Sequence, residues 1–162
     1  MITEQILRLS VTLGEKLSDR GWQITCAESC TGGGLGYAIT SASGSSKWFE
    51  RGFITYSNAA KTQLLGVDES TLIECGAVSK RVVEQMSEGA VKETGANVSI
   101  AISGIAGPDG DSEEKPVGLV WFGFVVDEYV FQQSQIFKGD RNRVREKTIT
   151  YAMQRVLEHF EG

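Results

Sequence analysis

The run PVGLVWFGFVV, from Pro116 to Val126, is apolar on both faces of any strand it could form. A strand of that kind belongs inside a sheet that is covered on two sides. EYVFQQSQIF follows almost at once, and the short gap predicts an antiparallel hairpin. Three further β-prone stretches precede it, WQITCAE, GFITYS and NVSIAIS. Helical patterns lie between them. Leu7, Val11, Leu13 and Leu17 recur at roughly helical spacing up to Gly21, NAAKTQLLG reads as a helix closed by Gly66, and SKRVVEQMSEGAVKETG as a longer amphipathic helix ending at Gly95. GDRNRVREKTITYAMQRVLEHF closes the chain as a helix, with Asp140 as its cap. Strands alternating with helices and ending in a hairpin predict one α/β domain over residues 1–162, layered α/β/α around a mixed sheet with a C-terminal antiparallel hairpin.

Composition narrows the function classes. Sixteen Lys and Arg against twenty-one Asp and Glu give a net charge of −5, with no long basic run, so the expectation is a small-molecule ligand and no nucleic acid. Val117 to Val126, the longest apolar stretch, falls far short of the roughly 18 residues that span a membrane, and the charged N-terminus MITEQILRLSVTLGEKL lacks a signal-peptide pattern. The chain is therefore expected to be cytoplasmic and off the membrane. Three cysteines at no paired spacing argue against a disulfide framework, and a single histidine, His159, against a metal site. Cys26 and Cys75 are expected in small buried sites. Neither G-x-x-x-x-G-K nor G-x-G-x-x-G occurs, so no ATP or dinucleotide cofactor is expected. The apolar hairpin suggests a homo-oligomer.

Three predicted strands, ending near Glu28, Tyr56 and Ser103, run into loops rich in hydroxyls, glycine or asparagine. In α/β sheets ligands bind beyond the carboxyl ends of strands. The first loop reads AESCTGGG and sets three nucleophile candidates, Ser29, Cys30 and Thr31, before Gly32, Gly33 and Gly34. Those glycines either form a tight strand-to-helix turn or let a ligand approach backbone N–H groups at a helix start. Position alone does not choose among the three nucleophiles.

Each of them needs a base. His159 sits near the end of the last helix, where a capping or solvent-facing role is ordinary, which leaves lysine, tyrosine or a carboxylate. YSNAAK supplies Tyr56 and Lys61 just after a strand end, and Lys115 in the charged SEEKP segment is the weaker candidate. With Asn58 as cap, Lys61 would be the third helical residue, where the helix dipole disfavours a cation. That dipole moves a pKa by less than one unit, so desolvation has to supply most of the fall from ~10.4 that a working base needs. Arg141 and Arg145, four apart on one predicted helix face, could hold a phosphate.

Several blocks in one register, AESCTGGGLG, GSSKWFERGFITYSNAAK, GAVS, SGIAGPDGDSEEKPVGLVWF and GDRNRVR, resemble the CinA C-terminal domain family from about Thr25 to Arg145. The length is similar to that of its stand-alone members, whereas larger ones carry an N-terminal domain similar to molybdopterin-binding proteins. The resemblance implies hydrolysis of the carboxamide of nicotinamide mononucleotide to nicotinic acid mononucleotide and ammonia, in pyridine-nucleotide recycling. It implies Ser29 as nucleophile, Lys61 as base and Tyr56 as a supporting residue, with N–H groups around Thr31, Gly32 and Gly33 holding the oxyanion. It assigns Ser46, Ser103, Gly104 and Arg145 to substrate binding, with Arg141 or Arg145 nearest the 5′-phosphate. A nucleotide-sensing member that binds without turnover is the alternative.

Overall fold

The computed structural model describes residues 2–110 and 112–161. The chain runs α1 (Glu4–Arg20), β1 (Ile24–Glu28), α2 (Gly34–Ile39), β2 (Phe53–Ile54), α3 (Asn58–Leu65), α4 (Glu69–Cys75), α5 (Lys80–Thr94), β3 (Val98–Gly104), β4 (Leu119–Val126), β5 (Tyr129–Ile136) and α6 (Arg141–Glu161). One mixed sheet has the order β2-β1-β3-β4-β5. β1 runs parallel to β2 and β3, while β4 and β5 form the predicted antiparallel hairpin.

The two faces of the sheet differ in side-chain size, which decides how closely each helical layer sits. Along β3, Val98, Ile100 and Ile102 face α1, α2 and α6, where they pack with Leu13, Leu35, Phe122 and Val156 in the larger core. On the other face Ala27 and Ala101 meet Leu65, Val83 and Met86 from α3 and α5. That face also contains Gly123, where an added Cβ would stand 2.1 Å from the carbonyl oxygen of Val83. Only glycine lets α5 settle there.

Local details depart from the sequence pattern. The buried stripe of α1 is Ile6, Ser10, Leu13, Gly14 and Leu17, whereas Leu7 and Val11 are exposed. Stepping back by helical spacing from Leu17 and Leu13 reaches Ser10 and Ile6, and the Ser10 hydroxyl is satisfied by donating to Ile39 O at 3.1 Å. α3 is capped by Ser57, whose Oγ accepts from the Ala60 N–H at 3.0 Å, so Asn58 is already helical. α4 carries no side-chain cap bond at Asp68 and spans seven residues, too short to show a helical period in the sequence. At its end Cys75 is half-buried rather than enclosed. Asp140 does cap α6, through Oδ1 and the Arg143 N–H at 2.9 Å. Among the described residues no helix is long and apolar enough to cross a membrane, and no group of three or more His, Cys, Asp or Glu could hold a metal ion.

Candidate active site

β2, β1 and β3 lie side by side, and their parallel registers set Glu28 level with Ile54 and with Ile102. The residues that follow each strand therefore emerge together at one edge of the sheet. Main-chain bonds keep them level, since Ser29 N donates to Ile102 O at 3.0 Å and Thr55 N to Glu28 O at 2.7 Å.

At that edge Lys61 Nζ lies 3.0 Å from Ser29 Oγ. Lys61 is 1% exposed, an unusual state for a lysine. Its Nζ donates to Thr55 O at 2.7 Å and makes longer contacts with Tyr56 O at 3.4 Å and Ser57 O at 3.5 Å. Burial lowers its pKa from 10.5 to about 8, with the neighbouring Cys30 thiol a smaller opposing influence. Because Ser57 is the cap, Lys61 is the fourth helical residue and not the third, and desolvation rather than the dipole is the main cause.

Cys30 also lines the crevice, but burial pushes its thiol up to about 11 against the pull of Arg145. That leaves about one thiolate in 10⁴ at pH 7. The Thr31 hydroxyl is spent as a donor to Glu28 Oε1 at 2.6 Å. Of the three adjacent candidates only Ser29 faces the buried amine of Lys61.

The glycines make the turn that presents it. Gly32 and Gly33 have φ of 56° and 100°, in the left-handed region that side chains disfavour. Gly32 N donates to Ser29 O at 3.0 Å and Gly34 N to Thr31 O at 2.9 Å. The Gly32 N–H is thus already used, which removes it from the expected oxyanion donors. Those of Cys30, Thr31 and Gly33 have no partner among the described residues.

A crevice of about 360 Å³ opens beside Ser29, lined also by Cys30, Tyr56, Gly104, Gly107, Asp109 and Arg141. The Tyr56 ring is 60% exposed in its wall. Its hydroxyl accepts from Arg141 Nη2 at 3.1 Å, and its main-chain carbonyl, 3.5 Å from Ser29 Oγ, is what touches the serine. Arg141 Nη1 donates to Gly107 O at 2.7 Å.

The two arginines expected to act as a pair line two different depressions. Arg145 Nη2 donates to Thr31 O at 3.1 Å and lines a neighbouring depression with Gly34, Asn142 and Ile149. Ser46 is exposed on a short 3₁₀ turn beside the start of β1, where Ile24 N donates to Trp48 O at 2.8 Å. That is the opposite end of the strand from Ser29. Ser103 is buried within β3 opposite Trp121, and Gly104 after it reaches the crevice. Lys115 is tied to Cys75 O at 2.7 Å. His159 stacks on Phe131, with ring centroids 4.3 Å apart.

Sequence reasoning passed over Glu28. Its side chain is 1% exposed and accepts from Thr31 Oγ1, from Leu35 N at 2.8 Å and from Gly36 N at 2.9 Å. An acidic residue shortly before a helix start was the available signal.

The CinA C-terminal domain family matches residues 7–160. "Nicotinamide-nucleotide amidohydrolase PncC" of Enterobacter agglomerans is 53% identical over 161 residues, covering 99% of this chain and 98% of that protein. The protein of the same name from Escherichia coli K12 is 49% identical with the same coverage. The crystal structure of "competence/damage inducible protein CihA from Agrobacterium tumefaciens" superposes with a TM-score of 0.94 at 36% identity, over 100% of this chain and 99% of that one. The family match, the alignment to relatives and the superposition each span nearly the whole chain, and the chain belongs to the CinA C-terminal domain family.

Proposed function

We propose that the chain is a nicotinamide-nucleotide amidohydrolase that converts nicotinamide mononucleotide to nicotinic acid mononucleotide and ammonia, a reaction that recycles pyridine nucleotides. The observation that carries this reading is the buried Lys61 Nζ at 3.0 Å from Ser29 Oγ. The names of relatives about half identical over their whole length supply the substrate.

In this reading neutral Lys61 takes the Ser29 proton as Oγ attacks the carboxamide carbon. The unpartnered N–H groups of Cys30, Thr31 and Gly33 are the available donors for the oxyanion. Protonated Lys61 returns its proton to the departing ammonia, and water, deprotonated by the same amine, cleaves the acyl-enzyme. Tyr56 forms the crevice wall and holds Arg141, so its part is to place substrate rather than to move a proton. The test is ammonia release from nicotinamide mononucleotide measured beside nicotinamide and NAD. Turnover of the mononucleotide well above the other two is expected, and binding without ammonia release would contradict the reading.

Arg141 shares the crevice with Ser29, so it is the residue we assign to the 5′-phosphate. A charge-assisted bond to phosphate contributes roughly 1.5–3 kcal/mol, and Arg141→Ala should therefore raise KM by roughly 10–150-fold. Arg145→Ala, which loosens the Thr31 carbonyl instead, should raise KM less. A larger KM effect at Arg145 would move the phosphate to the neighbouring depression.

A further inference from the structure

We propose that Glu28 is a positioning residue for the reaction, whose buried carboxylate holds the Ser29 loop in its attacking geometry. The inference rests on the reading of Ser29 as nucleophile. Glu28 is the last residue of β1 and the neighbour of Ser29. Its side chain turns back over the loop it precedes. Oε1 accepts from the Thr31 hydroxyl at 2.6 Å and from Leu35 N at 2.8 Å, and Oε2 accepts from Gly36 N at 2.9 Å, with Cys26 Sγ 3.7 Å away. The five residues 29–33 are thereby closed into a ring between the end of a strand and the start of a helix. The same residue reaches the base through its main chain. Glu28 O accepts from Thr55 N at 2.7 Å and from Thr55 Oγ1 at 3.2 Å, and Thr55 O is the nearest carbonyl to Lys61 Nζ.

Capping alone does not account for this arrangement. α2 has six residues and its N-cap, Gly33, makes no side-chain bond. A Ser, Asn or Asp at the cap position would satisfy the same N–H groups at the surface. Instead a carboxylate 1% exposed is brought in from the residue before the nucleophile, and burying it is costly unless its acceptor capacity is filled. The bond to Thr31 goes beyond the cap. It fixes the residue two positions after Ser29, whose carbonyl is held from the other side by Arg145. Thr31 is pinned at its hydroxyl and its carbonyl, and its N–H is left for the substrate.

The test uses Glu28→Gln, which keeps the shape but sets an amide donor against one of the N–H donors, and Thr31→Val, which deletes only the 2.6 Å bond. Both are assayed in the full chain with nicotinamide mononucleotide, beside the unaltered protein and a thermal melt. If the unaltered protein releases no ammonia, the functional reading fails and Glu28 loses its reaction. With that protein active, Glu28→Gln should lower kcat by about 10²-fold or more at a KM within about threefold, and Thr31→Val by about tenfold. The loss in the double variant should be smaller than the two single losses combined, because Thr31 and Glu28 share one bond and act on the same loop. The pH midpoint of kcat/KM should stay where it was, since Lys61 keeps its contacts. A normal kcat in Glu28→Gln with only a lowered Tm would reduce Glu28 to a structural cap and overturn the proposal. A raised KM at normal kcat would also overturn it, making Glu28 a binding residue. If Glu28→Gln does not fold, a normal kcat in Thr31→Val overturns the proposal by itself.

Discussion

Lys61→Arg should lower kcat by ~10²–10⁴, the usual loss when a general base is removed, because a guanidinium keeps the charge and cannot give up its proton near neutral pH. Lys61→Met should be as inactive, and it separates chemistry from folding. The amine titrates near 8 in the folded chain and near 10.5 when unfolded. Below pH 8 both states are protonated, so the folded state bears the full cost of burying an ammonium. Between 8 and 10.5 only the unfolded chain holds the lysine proton, so this group makes stability rise with pH, until above about 9 the buried Cys26 and Cys30 thiols, both held above their ordinary value, pull the other way. Methionine removes that dependence. Lys61→Met should therefore melt no lower than the unaltered protein at pH 7, apart from the lost bond to Thr55 O, and thermal melts between about pH 7 and 9, below the range where the buried thiols contribute, should lose their upward slope. Near-normal turnover in either variant would require another base.

Ser29→Ala should lower kcat by on the order of 10⁴–10⁶, leaving whatever rate enhancement binding and the oxyanion donors give alone. Cys30→Ala should keep most of the activity, since its thiol is held at about 11 and the Cys30 side chain is 6% exposed. The two variants differ by one adjacent residue, so a global effect on folding cannot mimic the contrast. Ammonia-release kinetics with a melt for each variant check it. Loss at Cys30 with retention at Ser29 would transfer the nucleophile to sulfur.

The fold was legible where pattern and punctuation agree. The doubly apolar Pro116–Val126, the Gly21, Gly66 and Gly95 stops and the long period of α5 each point to one element, and the sheet follows from their alternation. α4 was not, because seven residues give less than two turns of signal. The buried face of α1 was not legible, because Leu7 and Val11 are apolar yet lie off it, and a satisfied serine, Ser10, lies on it. In the site, the candidates that follow directly from strand ends, Ser29, Tyr56 and Gly104, do converge on one crevice. The different partners of Arg141 and Arg145 were invisible, since a shared helix face does not say which carbonyl each side chain reaches. Glu28 was hidden for a related reason. Its donors lie three, seven and eight residues downstream, beyond a glycine turn whose path only the folded backbone reveals.

The pairing of Ser29 with a neutral lysine is tested most directly by the pH dependence of kcat/KM for ammonia release from nicotinamide mononucleotide, measured from pH 6 to 10. The base works only when unprotonated, so activity should rise through a group titrating near 8, where burial holds Lys61, and level off above it. The residual activity of Lys61→Arg should show no such rise. A profile that is flat across pH 8 in the unaltered protein, or a rise that survives in Lys61→Arg, would contradict the assignment.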